Sequence, residues 1–122
     1  LGVEPDDGER EVLWLADKVL GLRIFPDADK PMNRSVMDSG GELLLVPQFI
    51  LAADTRSGMR PGFSTAADSG TVERLFAYLA AAAAHRHAVV ATGHFGADMQ
   101  VALVNNGPVT FWLEVRPGAG QA

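Results

Sequence analysis

Cysteine is absent from the 122 residues, which excludes a disulfide framework, a Cys-ligated zinc, an iron–sulfur cluster and a thiolate nucleophile together. Long apolar runs are missing as well. The longest, residues 43–46 and 75–84, stop or dilute into alanine far short of the about 18 residues that a membrane span requires. Basic residues are in the minority, ten against 15 acids, and the net charge of −5 has the wrong sign for gripping a long stretch of nucleic acid backbone. Any such contact must be local. No charged-then-apolar leader opens the chain, and with the missing cysteines this predicts a reducing, cytoplasmic setting.

What remains is ordinary for one domain: 48% hydrophobic and 20% charged content leaves room for a single core. Val12, Leu15, Ala16 and Val19 fall at i, i+3, i+4 and i+7 and predict an amphipathic helix over 7–20, with acids in its first turn, Lys18 in its last and Gly21 ready to follow it. An extended piece, 22–25, leads into a turn at 26–31 that carries two prolines and two aspartates. Residues 42–49 are nearly all apolar and read as a strand covered on both faces. The polar, aperiodic stretch 54–65 reads as a long loop, and loops of that length tend to carry function.

Asp68 or Ser69 caps a second helix, striped by Val72, Leu75, Phe76 and Leu79 and ending near His85. Strands are predicted at 88–92, 98–105 and 108–115. In the last of these Val109, Phe111, Leu113 and Val115 face one way, and Thr110, Trp112 and Glu114 the other. The pattern predicts an α/β fold, a mixed sheet with two main helices in one domain over 1–115, followed by a frayed tail at 116–122.

Several chemistries fit poorly. His85, His87 and His94 lie close in sequence, but a helix terminus explains the first two and no carboxylate pattern completes a metal site, so no metal is expected. No Gly-x-Ser-x-Gly elbow is present. The glycines at 40, 41, 58 and 62 lack the lysine of a phosphate loop, since Lys18 and Lys30 lie elsewhere. More specific is Val46-Pro47-Gln48-Phe49-Ile50. Pro47 cannot donate to a ladder and marks where the strand leaves the sheet, which frees the Gln48 and Phe49 amides either for local bonds or for a ligand oxygen.

Pro47-Gln48-Phe49, Leu51-Ala52-Ala53-Asp54, Met59-Arg60-Pro61, Phe95-Gly96-Ala97-Asp98-Met99 and Asn106-Gly107-Pro108-Val109-Thr110-Phe111-Trp112 together resemble the D-aminoacyl-tRNA deacylase family, first described as D-tyrosyl-tRNA deacylase. The resemblance implies a homodimer of α/β barrels with no cofactor, hydrolysing the ester that joins a D-amino acid or glycine to the acceptor end of tRNA. It implies that the Gly107-Pro108 step is cis and enters the partner subunit's pocket as the chiral filter. It places Gln48 and Phe49 at the ester carbonyl, Phe95 and Met99 around the adenosine, and Ala52 among the substrate contacts.

Two departures bear on mechanism. The family writes Ser-Gln-Phe-Thr, whereas this chain has Pro47 for the serine and Ile50 for the threonine, so no hydroxyl nucleophile stands there. Pro47 also resembles the animal-type paralogue that clears L-alanine from mischarged tRNA. Such L-alanine editing is one alternative, and a catalytically silent module binding the tRNA end is the other. Family members further carry about thirty residues ahead of the position of Leu1, including an arginine that braces the Gly-Pro loop; without them a barrel is expected to have an open edge.

Overall fold

The computed structural model describes residues 1–118, and the expectation of a frayed tail falls partly on 119–122, outside the described residues. Helix α1, Glu9–Gly21, starts where the Gly8 N–H donates to the Glu11 carboxylate at 2.8 Å. Of its predicted stripe the helix buries Val12 and Ala16 and half-buries Leu15 and Val19, and it also buries Leu20, which lies outside that stripe. Gly21 proves to be its last helical residue rather than a left-handed cap: the chain turns extended at Leu22, whose N–H donates to the Lys18 carbonyl at 2.9 Å.

An antiparallel bridge between Phe25 and Arg34 closes the turn. Inside it Asp27 accepts the Asp29 and Lys30 N–H groups, both at 2.8 Å, and the Asn33 side chain. A short helix α2, Val36–Ser39, follows, with a capping box in which the Asp38 N–H donates to Ser35 Oγ and the Ser35 N–H to the Asp38 carboxylate. Gly40, at φ +71°, ends it.

Strand β1, Leu43–Leu45, is shorter than the 42–49 expected from its apolar run, because Pro47 offers no N–H and the chain leaves the sheet there. Its covering on both faces is also corrected: Leu45 is buried but Leu44 is 60% exposed. A 3-10 turn, Phe49–Ala52, comes next. Helix α3, Ser69–Arg86, is capped by Asp68, which accepts the Thr71 N–H at 3.0 Å, and carries Leu75 at 1% exposure against α1. Strand β2, Val90–Thr92, then pairs with β1 in parallel, Leu43 opposite Val90 and Leu45 opposite Thr92. His87 closes this crossover, its Nε2 standing 2.5 Å from the Gly41 carbonyl oxygen.

The sheet has two strands among the described residues, not the larger mixed sheet expected. The strands predicted at 98–105 and 108–115 do not form, because alternating side chains define a face while a ladder needs a neighbour, and no backbone of the described residues pairs with theirs. Most of their apolar side chains are exposed, Val104 at 92%, while Leu113 and Val115 are half-buried. Between α1, α3, β1 and residues 110–115 lies a largely apolar cavity of about 540 Å³, to which Val12, Leu15, Leu45, Leu75 and Trp112 contribute. No described helix is long and apolar enough to cross a membrane.

Leu20 is fully buried where α1 approaches α2, so Leu20→Ala should lower the unfolding free energy by about 2–5 kcal/mol. A urea titration reads this as a lower midpoint at unchanged slope; a loss below about 1 kcal/mol would mean that this end of the helix is loosely packed.

Candidate functional site

Beyond β1 the chain is held by the first three residues. The Leu1 amine donates to the Val46 carbonyl at 2.9 Å, the Gln48 N–H to the Leu1 carbonyl at 2.7 Å, and the Ala67 N–H to the Val3 carbonyl at 3.0 Å. The Gln48 amide is therefore engaged, which corrects the expectation that it is free for a ligand. The Phe49 and Ile50 amides, first in the 3-10 turn, have no acceptor among the described residues. The Gln48, Phe49 and Ile50 side chains are exposed.

Ala52, expected at the substrate, is buried and lines the interior cavity, and its carbonyl accepts from Thr65 Oγ1 at 2.5 Å. Its side chain supports the turn from within. The rings of Phe49 and Phe63 meet at 5.1 Å, so the turn and the far end of loop 54–65 are joined twice. Asp54 and Gly62 pair antiparallel at the neck of the loop, at 2.7 and 2.8 Å. The Asp54 carboxylate accepts from the Arg56 N–H, Nε and Nη2, at 3.0, 2.9 and 2.8 Å, and these donors hold its pKa far below the usual carboxylate range. A depressed carboxylate pKa favours the folded loop above the ordinary value of 3.8, and that contribution fades as pH falls toward the folded value.

Gly93, which motif reading missed, and Gly2 are close-approach points. The Gly93 N–H donates to the Leu45 carbonyl at 2.8 Å, and a Cβ there would stand 3.3 Å from Val46 Cγ1 and 3.5 Å from Met99 Sδ. Met99 is thus brought beside the end of β1. A Cβ at Gly2 would meet Leu51 Cβ at 3.0 Å and the Gln48 carbonyl oxygen at 3.5 Å. Neither glycine has a positive φ, so only the tertiary approach reveals it. Phe95 sits in a turn after β2, partly exposed.

The Gly107-Pro108 bond is cis, and Gly107 has φ +128°, a conformation that disfavours a side chain. A Cβ there would lie 3.1 Å from both the Val109 N and Cγ2. Both residues are exposed, and no hydrogen bond or ring contact among the described residues joins them to the Gln48–Phe49 turn. Residues 46, 51 and 52, beside the first motif, and residues 110–115, beyond the second, line the same interior cavity.

Residues 1–114 match the family described as D-Tyr-tRNA(Tyr) deacylase. A protein named D-aminoacyl-tRNA deacylase from Methylococcus capsulatus is 55% identical over 117 residues, 96% of this chain and 76% of its own length. One from Pseudomonas paraeruginosa is 57% identical, over 93% of this chain and 79% of its own. The solved structure of a c-Myc DNA unwinding element binding protein superposes with a TM-score of 0.89 at 33% identity, covering 95% of this chain and 79% of that one. The chain belongs to the D-Tyr-tRNA(Tyr) deacylase family.

Proposed function

We propose that this chain hydrolyses the ester bond of D-aminoacyl-tRNA and so proofreads chirality in translation; kinship with proteins of that name carries the reading. Water adds to the ester carbonyl, the tetrahedral oxyanion collapses, and the ribose oxygen of the terminal adenosine leaves with a proton as free tRNA. The Phe49 and Ile50 amides supply two preorganised donors for that oxyanion. Ile50 has no hydroxyl, so the nucleophile is water, assisted by the substrate's own 2′-hydroxyl; an aminoacyl ester is labile enough for modest electrostatic help to suffice.

In this reading two chains associate as barrels, each built on a single domain over 1–115. Gly107 and Pro108 of one protomer project into the pocket of its partner and exclude L side chains, while Phe95 and Met99 flank the adenosine. The exposed apolar surface at 101–112 supports an association of two chains. Glycine, having no side chain to exclude, passes the same filter. A cytoplasmic setting follows from the tRNA substrate. Pro47 favours the second reading, removal of L-alanine from mischarged tRNA.

Purified protein given D-tyrosyl-, L-tyrosyl- and L-alanyl-tRNA in parallel should release only the D-amino acid. Release of L-alanine alone would establish the second reading, and release of none a silent binding module. The active species should sediment at the mass of two 12.9 kDa chains.

Ile50→Thr should change the rate by less than tenfold; a thousandfold gain, about 4 kcal/mol of barrier, would show that a hydroxyl does matter. Gly107→Ala should lower kcat/KM for the D-substrate by about tenfold or more, since the new Cβ meets backbone at an unfavourable φ. Wild-type kinetics in that variant would remove Gly107 from the filter.

A further inference from the structure

The acids avoid one part of the chain. Between residues 43 and 67 the only acid is Asp54, and its charge is taken up by Arg56. Arg60 lies in the same stretch. Of the ten Lys and Arg, all within the described residues, only Lys18, Lys30 and Arg60 have no side-chain hydrogen bond, ion pair or ring contact among them. Lys18 belongs to the last turn of α1 and Lys30 to the 26–33 turn. Among the described residues Arg60 is thus the one cation without a partner on the segments that build the candidate site.

The loop that carries it is stiff. Its neck is closed by the Asp54 and Gly62 pair, its far side is tied to the 3-10 turn through Phe63 and Thr65, and Asp54 latches Arg56. Pro61 disfavours a helical backbone at Arg60 and fixes its own φ. Met59, next to it, is 98% exposed, an apolar side chain held wholly in water. From the neck, a tip three residues away reaches roughly 10 Å, the span of a few nucleotides along one strand.

Resting on the deacylase reading, we infer that loop 54–62 is a contact for the single-stranded acceptor end of tRNA. Arg60 pairs with a phosphate next to the terminal adenosine, and the Met59 thioether lies against a base, a contact that suits a soft, polarisable side chain. A single cation at the strand is the local contact that a net charge of −5 permits.

The test compares the full chain with its R60A and R60K variants. Binding of uncharged tRNA is followed by fluorescence anisotropy across a salt series, and hydrolysis is measured on D-tyrosyl-tRNA and on D-tyrosyl-adenosine, an ester with no phosphate. R60A should weaken tRNA binding roughly three- to tenfold and reduce the slope of log K against log salt by about 0.7–0.9, the loss of one phosphate contact. R60K should restore most of the slope. On the two esters R60A should lower kcat/KM only for the tRNA. An unchanged salt slope, or equal losses on both esters, would overturn the inference. If the wild-type chain hydrolyses neither ester, the deacylase reading falls, while the binding series still decides the role of Arg60.

Discussion

Pro47 breaks the ladder of β1, and a pair of hydrogen bonds from Leu1 takes over where it stops. A strand that loses its donor at a proline ordinarily wanders into solvent. Here the Leu1 backbone runs beside Val46 and Gln48 and bonds to both, while Val3 reaches across to Ala67 just before α3. The 3-10 turn is thereby pinned on one side to the core and on the other, through Thr65 and Phe63, to the loop. Without that pinning Phe49 and Ile50 would have no fixed direction in which to present their amides. Gly2 is part of the same constraint, since a side chain there would push against Leu51.

Both long helices were legible because a 3.6-residue stripe states at once that a helix exists and which face it buries; Val12, Ala16, Leu75 and Leu79 lie where the stripe puts them. The short helix α2 went unread, although Ser35 and Asp38 have the spacing of a capping box. The strands beyond Thr92 were misread for a physical reason. Alternation at 108–115 tells which residues share a face, and it cannot tell whether a neighbouring strand exists to accept the hydrogen bonds. The same gap explains Leu44, apolar and yet exposed.

The motifs of the candidate site were readable and their engagement was not. That the Gln48 amide is consumed by Leu1 while the next two remain without acceptors depends on a contact 47 residues away in sequence. The resemblance placed Ala52 among the substrate contacts, and the 3-10 element buries it. Gly93 carries no local signal, having neither a turn nor a positive φ. Its role is to let Val46 and Met99 converge.

An acidic chain can serve an RNA end if its acids stand where the RNA does not pass. Glu4, Asp6, Asp7, Glu9, Glu11 and Asp17 lie on α1 and the residues leading into it, and two of them are further spent on Arg74 and Arg86 of α3. Charges more than about 10 Å apart are largely screened at 0.1 M salt, so what a phosphate senses is the sign of its immediate surroundings. Within 43–67 the charged residues are Arg60, without a partner among the described residues, and the neutralised Asp54–Arg56 pair. Chemistry confined to a terminal ester needs no wider grip, and a weak hold lets the cleaved tRNA leave. The turn's two unpaired donors stand within a stretch, 43–67, whose one acid is paired with Arg56.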